Sequence, residues 1–220
     1  GTIFSQAIST SDVTGTCIGS LFSGNYPFET GITQTSIDNT KMGLFKSLKE
    51  NGYKLFGIVP KLTLFEKTCK DFNDVLMYNV KEWKNDETIL GKSGKNALEF
   101  FSKNIGNEPW FHYIHLIDIH GLGKAVKVHE QFDHEKFGKT KYDKTLSTLD
   151  FWIKNIFNKI SMEETLVIIT SDHGEYLGED LRDMPKFYET MRGLKERFPK
   201  LQYFGDKLFL LVILQMKKES

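Results

Sequence analysis

Cysteine is scarce in this chain: Cys17 and Cys69 are the two it has. They make neither a disulfide framework nor a zinc-ligand spacing, and they leave the redox compartment open. Net charge is missing as well. Twenty-nine Lys and Arg offset 29 Asp and Glu, so no global field recruits nucleic acid or an anionic membrane. A long hydrophobic run is also lacking. The longest, LFLLVIL at 208–214, is too short to span a bilayer. No leader-like segment, repeat or low-complexity linker is visible. The abrupt start at GTIFSQAIS and the stop soon after an apolar run are what a piece of a longer protein would show, so no compartment is assigned.

What is present describes a globular protein. The 220 residues are 40% hydrophobic and 26% charged, enough for one sizeable domain over 1–220 with a real core. Lys136, Lys139, Lys141 and Lys144 cluster locally and read as a solvated face. Helical and strand-like segments alternate, which favours an α/β architecture. Met42, Phe45 and Leu48 recur at helical spacing before Gly52, and YKLFGIV then reads as a strand ending at Pro60. A polar, lysine-rich section follows, with a helix expected around NALEFFSKNI. PWFHYIHLIDIHG reads as a strand running out at Asp118, His120 and Gly121.

Residues 143–160 carry an apolar stripe of Leu146, Leu149, Ile153, Ile156, Phe157 and Ile160, which predicts a helix. TLVIIT has the continuous apolar character of a central strand covered on both faces. Phe187, Met191, Leu194 and Phe198 predict another helix over 183–198, and KLFLLVILQ a last buried strand. The expected fold is therefore a mostly parallel or mixed central sheet with helices on both faces. Its strand ends carry the polar clusters DIH and SDHG, and open α/β sheets bind ligands at the carboxyl ends of their strands.

Three clusters bear on chemistry. Asp172 and His173 can both ligate a divalent cation, as hard oxygen and as imidazole nitrogen. Neighbours on a strand point opposite ways, but a strand-to-loop transition can turn both inward, and Gly174 offers that freedom. Read alone, this triplet is as well explained by a loop cap and a packed imidazole. In HYIHLIDIHG, strand alternation separates His112 from His115, so these two read as structural. Asp118 and His120, at the strand end, are the better site candidates. Near the start, STSDVTGTC offers Thr10, Ser11, Thr14, Thr16 and Cys17, which read as a helix-capping loop unless a metal or base lowers a hydroxyl pKa.

In this order the segments resemble the sulfatase family of the alkaline phosphatase superfamily. FSQAISTSDVTGTCIGSLFSGNYPFETGI resembles the family's nucleophile loop leading into SLLTG-x-YP, and LKENGYKLFGIV its following helix and strand. FHYIHLIDIHG is similar to F-x-Y-x-H-x-x-D-P-H, YDKTLSTLDFWIKNI to Y-D-x-x-I-x-x-x-D, and VIITSDHGEYLGE to the strand and metal loop. The resemblance implies an alkaline phosphatase-like core and one divalent ion (Ca, Mg or Mn) on Asp172, His173 and Thr14. Thr14 falls on the nucleophile slot, and His120 on a contact to sulfate or phosphate oxygens. Asp118 and Lys61 would touch substrate.

The departures shape the expectation. Formylglycine-forming sulfatases carry C/S-x-P-x-R, whereas this chain has TGTCI, with Cys17 three positions past the slot. Threonine nucleophiles belong instead to phosphodiesterases, phosphonate-cleaving enzymes and phosphoglycerol transferases of the superfamily. The family's first acidic metal ligand lies upstream of Gly1. Residues 181–204 replace a glycine-rich continuation with a helical insertion. The expected function is metal-dependent hydrolysis of a sulfate or phosphate ester, on a small-molecule, glycan or lipid substrate. The alternatives are a non-catalytic module of the same fold, a phosphoglycerol-type transferase, and an unrelated α/β protein with a structural metal. No nucleic acid or membrane-segment partner is expected, and oligomeric state is unassigned.

Overall fold

A computed structural model describes residues 1–80, 88–120 and 128–174, together with the backbone of 209–215. The described elements include strands β1 (Lys54–Pro60), β2 (Asp74–Tyr78), β3 (Trp110–Leu116), β4 (Thr165–Ser171) and β5 (Phe209–Gln215). They form one sheet in the order β2-β1-β3-β5-β4. β1 pairs parallel with β2 and with β3, while β5 runs antiparallel between β3 and β4. The mixed sheet is as expected, and its four strands β1 to β4 all point the same way.

β3 explains the layering. All seven of its residues are buried, the pattern of a strand covered on both faces. Alternation sends Phe111, Tyr113 and His115 to one face, where they meet Phe45, Phe22 and Phe65 at ring separations of 6.1, 5.0 and 4.4 Å. Those partners arrive on helices α1 (Thr14–Ser23), α3 (Gly43–Glu50) and α4 (Thr63–Thr68), with the four-residue α2 (Pro27–Thr30) between the first two. On the opposite face His112 packs against Phe101, 4.5 Å away on α5 (Ser93–Lys103). Helix α6 (Lys141–Phe157) joins α5 through the Trp152 indole N–H, which donates to Gly94 O at 3.4 Å. It starts on a capping box: Thr140 accepts from Asp143 N, and Asp143 accepts from Thr140 N. Among the described residues, no helix is long and apolar enough to cross a membrane.

Two expectations need correcting. TLVIIT is an edge strand among the described residues, with Leu166, Ile168 and Ile169 exposed by 44 to 49%. An unbroken apolar run fits a strand covered on both faces, but sheet position depends on contacts far away in the sequence. The lysine-rich stretch after Pro60 also holds more structure than its composition suggests, namely α4 and the five-residue β2. The predicted helix over 183–198 lies outside the described residues.

α1 is close-packed from its glycine side. A Cβ at Gly19 would lie 2.5 Å from Ile32 Cγ2, and one at Gly15 would lie 2.7 Å from Gln34 Cα. Gly19→Val should therefore cost about 1–3 kcal/mol by overpacking. Gly43→Ala, where a Cβ meets nothing within 4 Å, should be neutral or slightly stabilising. Urea midpoints of the two variants check this, and equal midpoints would contradict the close approach.

Candidate active site

Because β1 to β4 are co-directional, Lys61, the turn holding Asp118 and His120, and the pair Asp172-His173 all leave the same edge of the sheet. Ligand sites in open α/β sheets lie at this edge. α1 delivers its first residue, Thr14, to it. Thr14, Asp172 and His173 are 4, 8 and 5% exposed, so three polar side chains are withdrawn from water together.

Their hydrogen bonds define roles. The His173 Nδ1 lies 2.9 Å from Gly174 O. A carbonyl can only accept, so Nδ1 carries the proton and, in the neutral ring, Nε2 presents its lone pair. That lone pair faces the Thr14 hydroxyl, with Oγ1 at 3.2 Å. Asp172 Oδ2 stands 3.4 Å from the same nitrogen. A carboxylate oxygen and an imidazole nitrogen this close, both buried, are donors that could share one metal cation. β4 ends at Ser171, so the pair falls in the bend beyond the strand and both side chains turn inward. Gly174 is not in a left-handed conformation. Its contribution is the carbonyl that orients His173, rather than turning freedom.

The bend is pinned by side chains that sequence reasoning passed over. The Ser9 hydroxyl donates to Asp172 O at 2.7 Å, and Ser171 Oγ donates to His173 O at 2.6 Å. The same Ser9 oxygen accepts from Ser11 N at 3.3 Å and lies 3.2 Å from Cys17 Sγ. Ser9 to Asp172 spans most of the chain, so no local signal could have revealed it. Gln34 Oε1 accepts the Gly15 amide at 2.6 Å, which fixes the first turn of α1.

Cys17 is buried, and its thiol sits 3.2 Å from Ser11 O. Burial pushes that thiol up, with the Ser9 hydrogen bond only partly offsetting it. A protonated thiol donating to a carbonyl is a poor nucleophile.

The remaining candidates have other surroundings. Asp118 is fully buried, and its Oδ1 accepts from Leu90 N at 2.7 Å. Burial raises its pKa, and bonds from Leu90 and Thr88 offset this in part. His120 is partly exposed in the turn after β3, where its amide donates to Ile117 O at 2.9 Å. Lys61 is exposed, and its amide donates to Tyr78 O at 2.8 Å. His112 and His115 each have one ring nitrogen bonded, to Asn104 O at 3.3 Å and to Tyr113 OH at 2.7 Å. Their other nitrogens, His112 Nδ1 and His115 Nε2, are buried without partners. Burial first, and then His173 and His120, hold His115 well below the ordinary imidazole range. The turn after β3 and the bend after β4 thus each carry a histidine that acts on His115.

Asp172 and His173 line a cavity of about 820 Å³ bounded also by α1 and the start of α6. Among the described residues, no three His, Cys, Asp or Glu side chains converge into a metal-holding group. Asp172 and His173 are chemically suited to be two ligands of a divalent ion, the kind of cofactor sulfatases generally use.

No curated protein and no solved structure matches the chain significantly. A family model described as Sulfatase matches residues 1–198. With that match over most of its length, and with a mixed α/β sheet whose strand edge gathers Thr14, Asp172 and His173, the chain belongs to the sulfatase family and to its general role in cleaving sulfuric or phosphoric esters.

Proposed function

We propose that this chain hydrolyses a sulfate or phosphate ester with Thr14 as the nucleophile and Asp172 and His173 as metal ligands. The observation that carries the reading is the buried contact of Thr14 Oγ1 with His173 Nε2 at 3.2 Å, beside Asp172 Oδ2. A divalent cation bound there would lower the pKa of the Thr14 hydroxyl and offset charge on the non-bridging oxygens.

With its proton passed to solvent, Thr14 Oγ1 attacks sulfur or phosphorus in line, and the bond to the leaving alcohol oxygen breaks. His120, at the neighbouring turn, supplies the proton that the alcohol takes up. Water then cleaves the ester on Thr14 and restores the hydroxyl. α1 holds Thr14 in place, while Ser9 and Ser171 hold the bend that carries the pair, so little reorganisation is needed at the reacting centre. Threonine in the slot favours phosphoryl over sulfuryl transfer. Lys61 and Asp118 are proposed to support substrate, Lys61 by charge and Asp118 by fixing the segment at Leu90.

Calorimetric titration with Ca²⁺, Mg²⁺ and Mn²⁺ tests the metal assignment. At least one ion should bind saturably to the wild type, and Asp172→Ala should remove that binding. Undiminished affinity in the variant would refute the ligand assignment. Bound metal without turnover of any sulfate or phosphate ester would favour a non-catalytic module.

A further inference from the structure

Strand β1 ends in a residue that cannot finish its own ladder. Its register with β3 runs as far as Ile58 opposite Ile114, and two residues on this brings Pro60 level with Leu116. A parallel ladder continued there needs an N–H from residue 60 to the His115 carbonyl, and proline has none to give. A side chain fills that place. The Tyr78 hydroxyl, reaching across from the last residue of β2, donates to His115 O at 2.6 Å and accepts from Ile117 N at 3.2 Å. One phenol stands in for the missing peptide group.

This is more than a buried hydroxyl requires. Tyr78 is buried, and a single acceptor would satisfy its proton. It uses donor and acceptor together on one short segment, at the point where β3 leaves the sheet. Burial, and after it the charge of Asp118, pushes the phenol well above the ordinary tyrosine range, so the donated proton stays in place. From this anchor the chain runs directly into the site. Ile117 O accepts the His120 amide at 2.9 Å and closes the turn, which Asp118 also ties to Leu90 N at 2.7 Å. The Tyr78 carbonyl meanwhile accepts the Lys61 amide at 2.8 Å. Two site segments from different strand ends therefore hang on one tyrosine.

We propose that Tyr78 is a positioning residue, whose phenol fixes the exit of β3 and so aims His120 at the leaving alcohol oxygen. The assignment rests on the proton-donor role given to His120 above. Proton transfer to a departing alkoxide needs hydrogen-bond reach, so a turn free to shift loses that step first. Thr14 and the pair Asp172-His173 are held instead by α1 and the bend after β4. Loss of the Tyr78 hydroxyl should therefore fall on leaving-group protonation and spare the attack.

Tyr78→Phe keeps the ring and removes the hydroxyl. The probes are 4-nitrophenyl phosphate, ethyl phosphate and the two matching sulfates, assayed with the divalent ion that binds the wild type. The nitrophenolate departs without a proton, whereas ethoxide needs one. Tyr78→Phe should lower kcat for the ethyl ester at least about tenfold more than for the nitrophenyl ester, with KM within about twofold. In a His120→Ala background the same substitution should change that ratio by less than about twofold, because residues acting in series do not add. Amide hydrogen exchange of the whole chain without substrate supplies a second readout. In the wild type the Ile117 amide should exchange as slowly as the paired amides of Phe111 to Ile114. In Tyr78→Phe, exchange should speed up about tenfold or more at Ile117 and His120 and stay native at 111–114.

Equal loss on both esters, or full additivity with His120→Ala, overturns the proposal. Uniformly faster exchange along β3 does so too, since it reports lost stability and no change of aim. Loop-like exchange of Ile117 in the wild type overturns it without any variant, even if Tyr78→Phe fails to fold. A wild type that cleaves none of the four esters would count against the hydrolase reading alone. The exchange at Ile117 and His120 would then still decide whether Tyr78 holds the turn.

Discussion

Thr14→Ala should lower kcat for ester cleavage by at least roughly a thousandfold, because a nucleophile contributes in the transition state. KM should move far less. Thr14→Ser keeps a hydroxyl near His173 Nε2 and should retain measurable turnover. Cys17→Ala should stay within about threefold of wild type, since its thiol is protonated and committed to Ser11 O. The structural cost of Thr14→Ala is one hydrogen bond and one buried methyl, about 2 kcal/mol. Near-native circular dichroism should therefore accompany the loss of rate. Steady-state kinetics on the four proteins decides the matter. A dead Cys17→Ala beside an active Thr14→Ala would show that the nucleophile is thiol-derived and that the register places it wrongly.

A second large effect concerns acid. His112 is fully buried among Phe56, Phe101 and Trp110, and burial brings its pKa down to about 3. In the unfolded chain an imidazole titrates near 6.5. Between these values the unfolded state binds a proton that the folded state does not, so protonation favours unfolding. The stabilisation is complete above about pH 6.5 and declines as pH falls toward 3, by roughly 1.4 kcal/mol per unit. From pH 7 to 5 the loss from His112 alone should be about 2 kcal/mol. His115, also held low by burial, adds in the same direction. Denaturant unfolding at both pH values, for wild type and His112→Phe, measures the effect. The variant should lose about 2 kcal/mol less on acidification. Parallel behaviour of the two proteins would mean that His112 is not buried neutral.

How much of this was legible depended on the range of the interactions involved. α6 and β3 are long, and their periodicity reports their own environment, so their existence could be read directly. β2 is five residues within a lysine-rich stretch, and its stability comes from pairing with β1 rather than from its own pattern. β4 was legible as a strand but not as an edge, because the apolar run TLVIIT says nothing about what lies beside it. At the site, motif order singled out Thr14, Asp172 and His173, and two of the structure's short contacts join them. The surroundings were not legible. Ser9 reaches Asp172 across most of the chain, and Asp118 finds Leu90 rather than a neighbour in its own cluster. Single hydroxyls and carboxylates advertise no partner in a sequence.

The placement of β5 bears on how the protein comes to exist. Among the described residues, β4 joins the sheet through β5 alone, pairing from Thr165 opposite Gln215 to Ser171 opposite Phe209. During synthesis, β1, β2 and β3 can pair as soon as they emerge, but β4 must wait for a strand made well after it. The segment bearing Asp172 and His173 is thus among the late arrivals at the sheet. Pairing β5 with β3, which lies far back in the sequence, is a slow, non-local step. A ribosome stalled before Phe209 would hold a chain whose parallel half has assembled and whose chemistry has not.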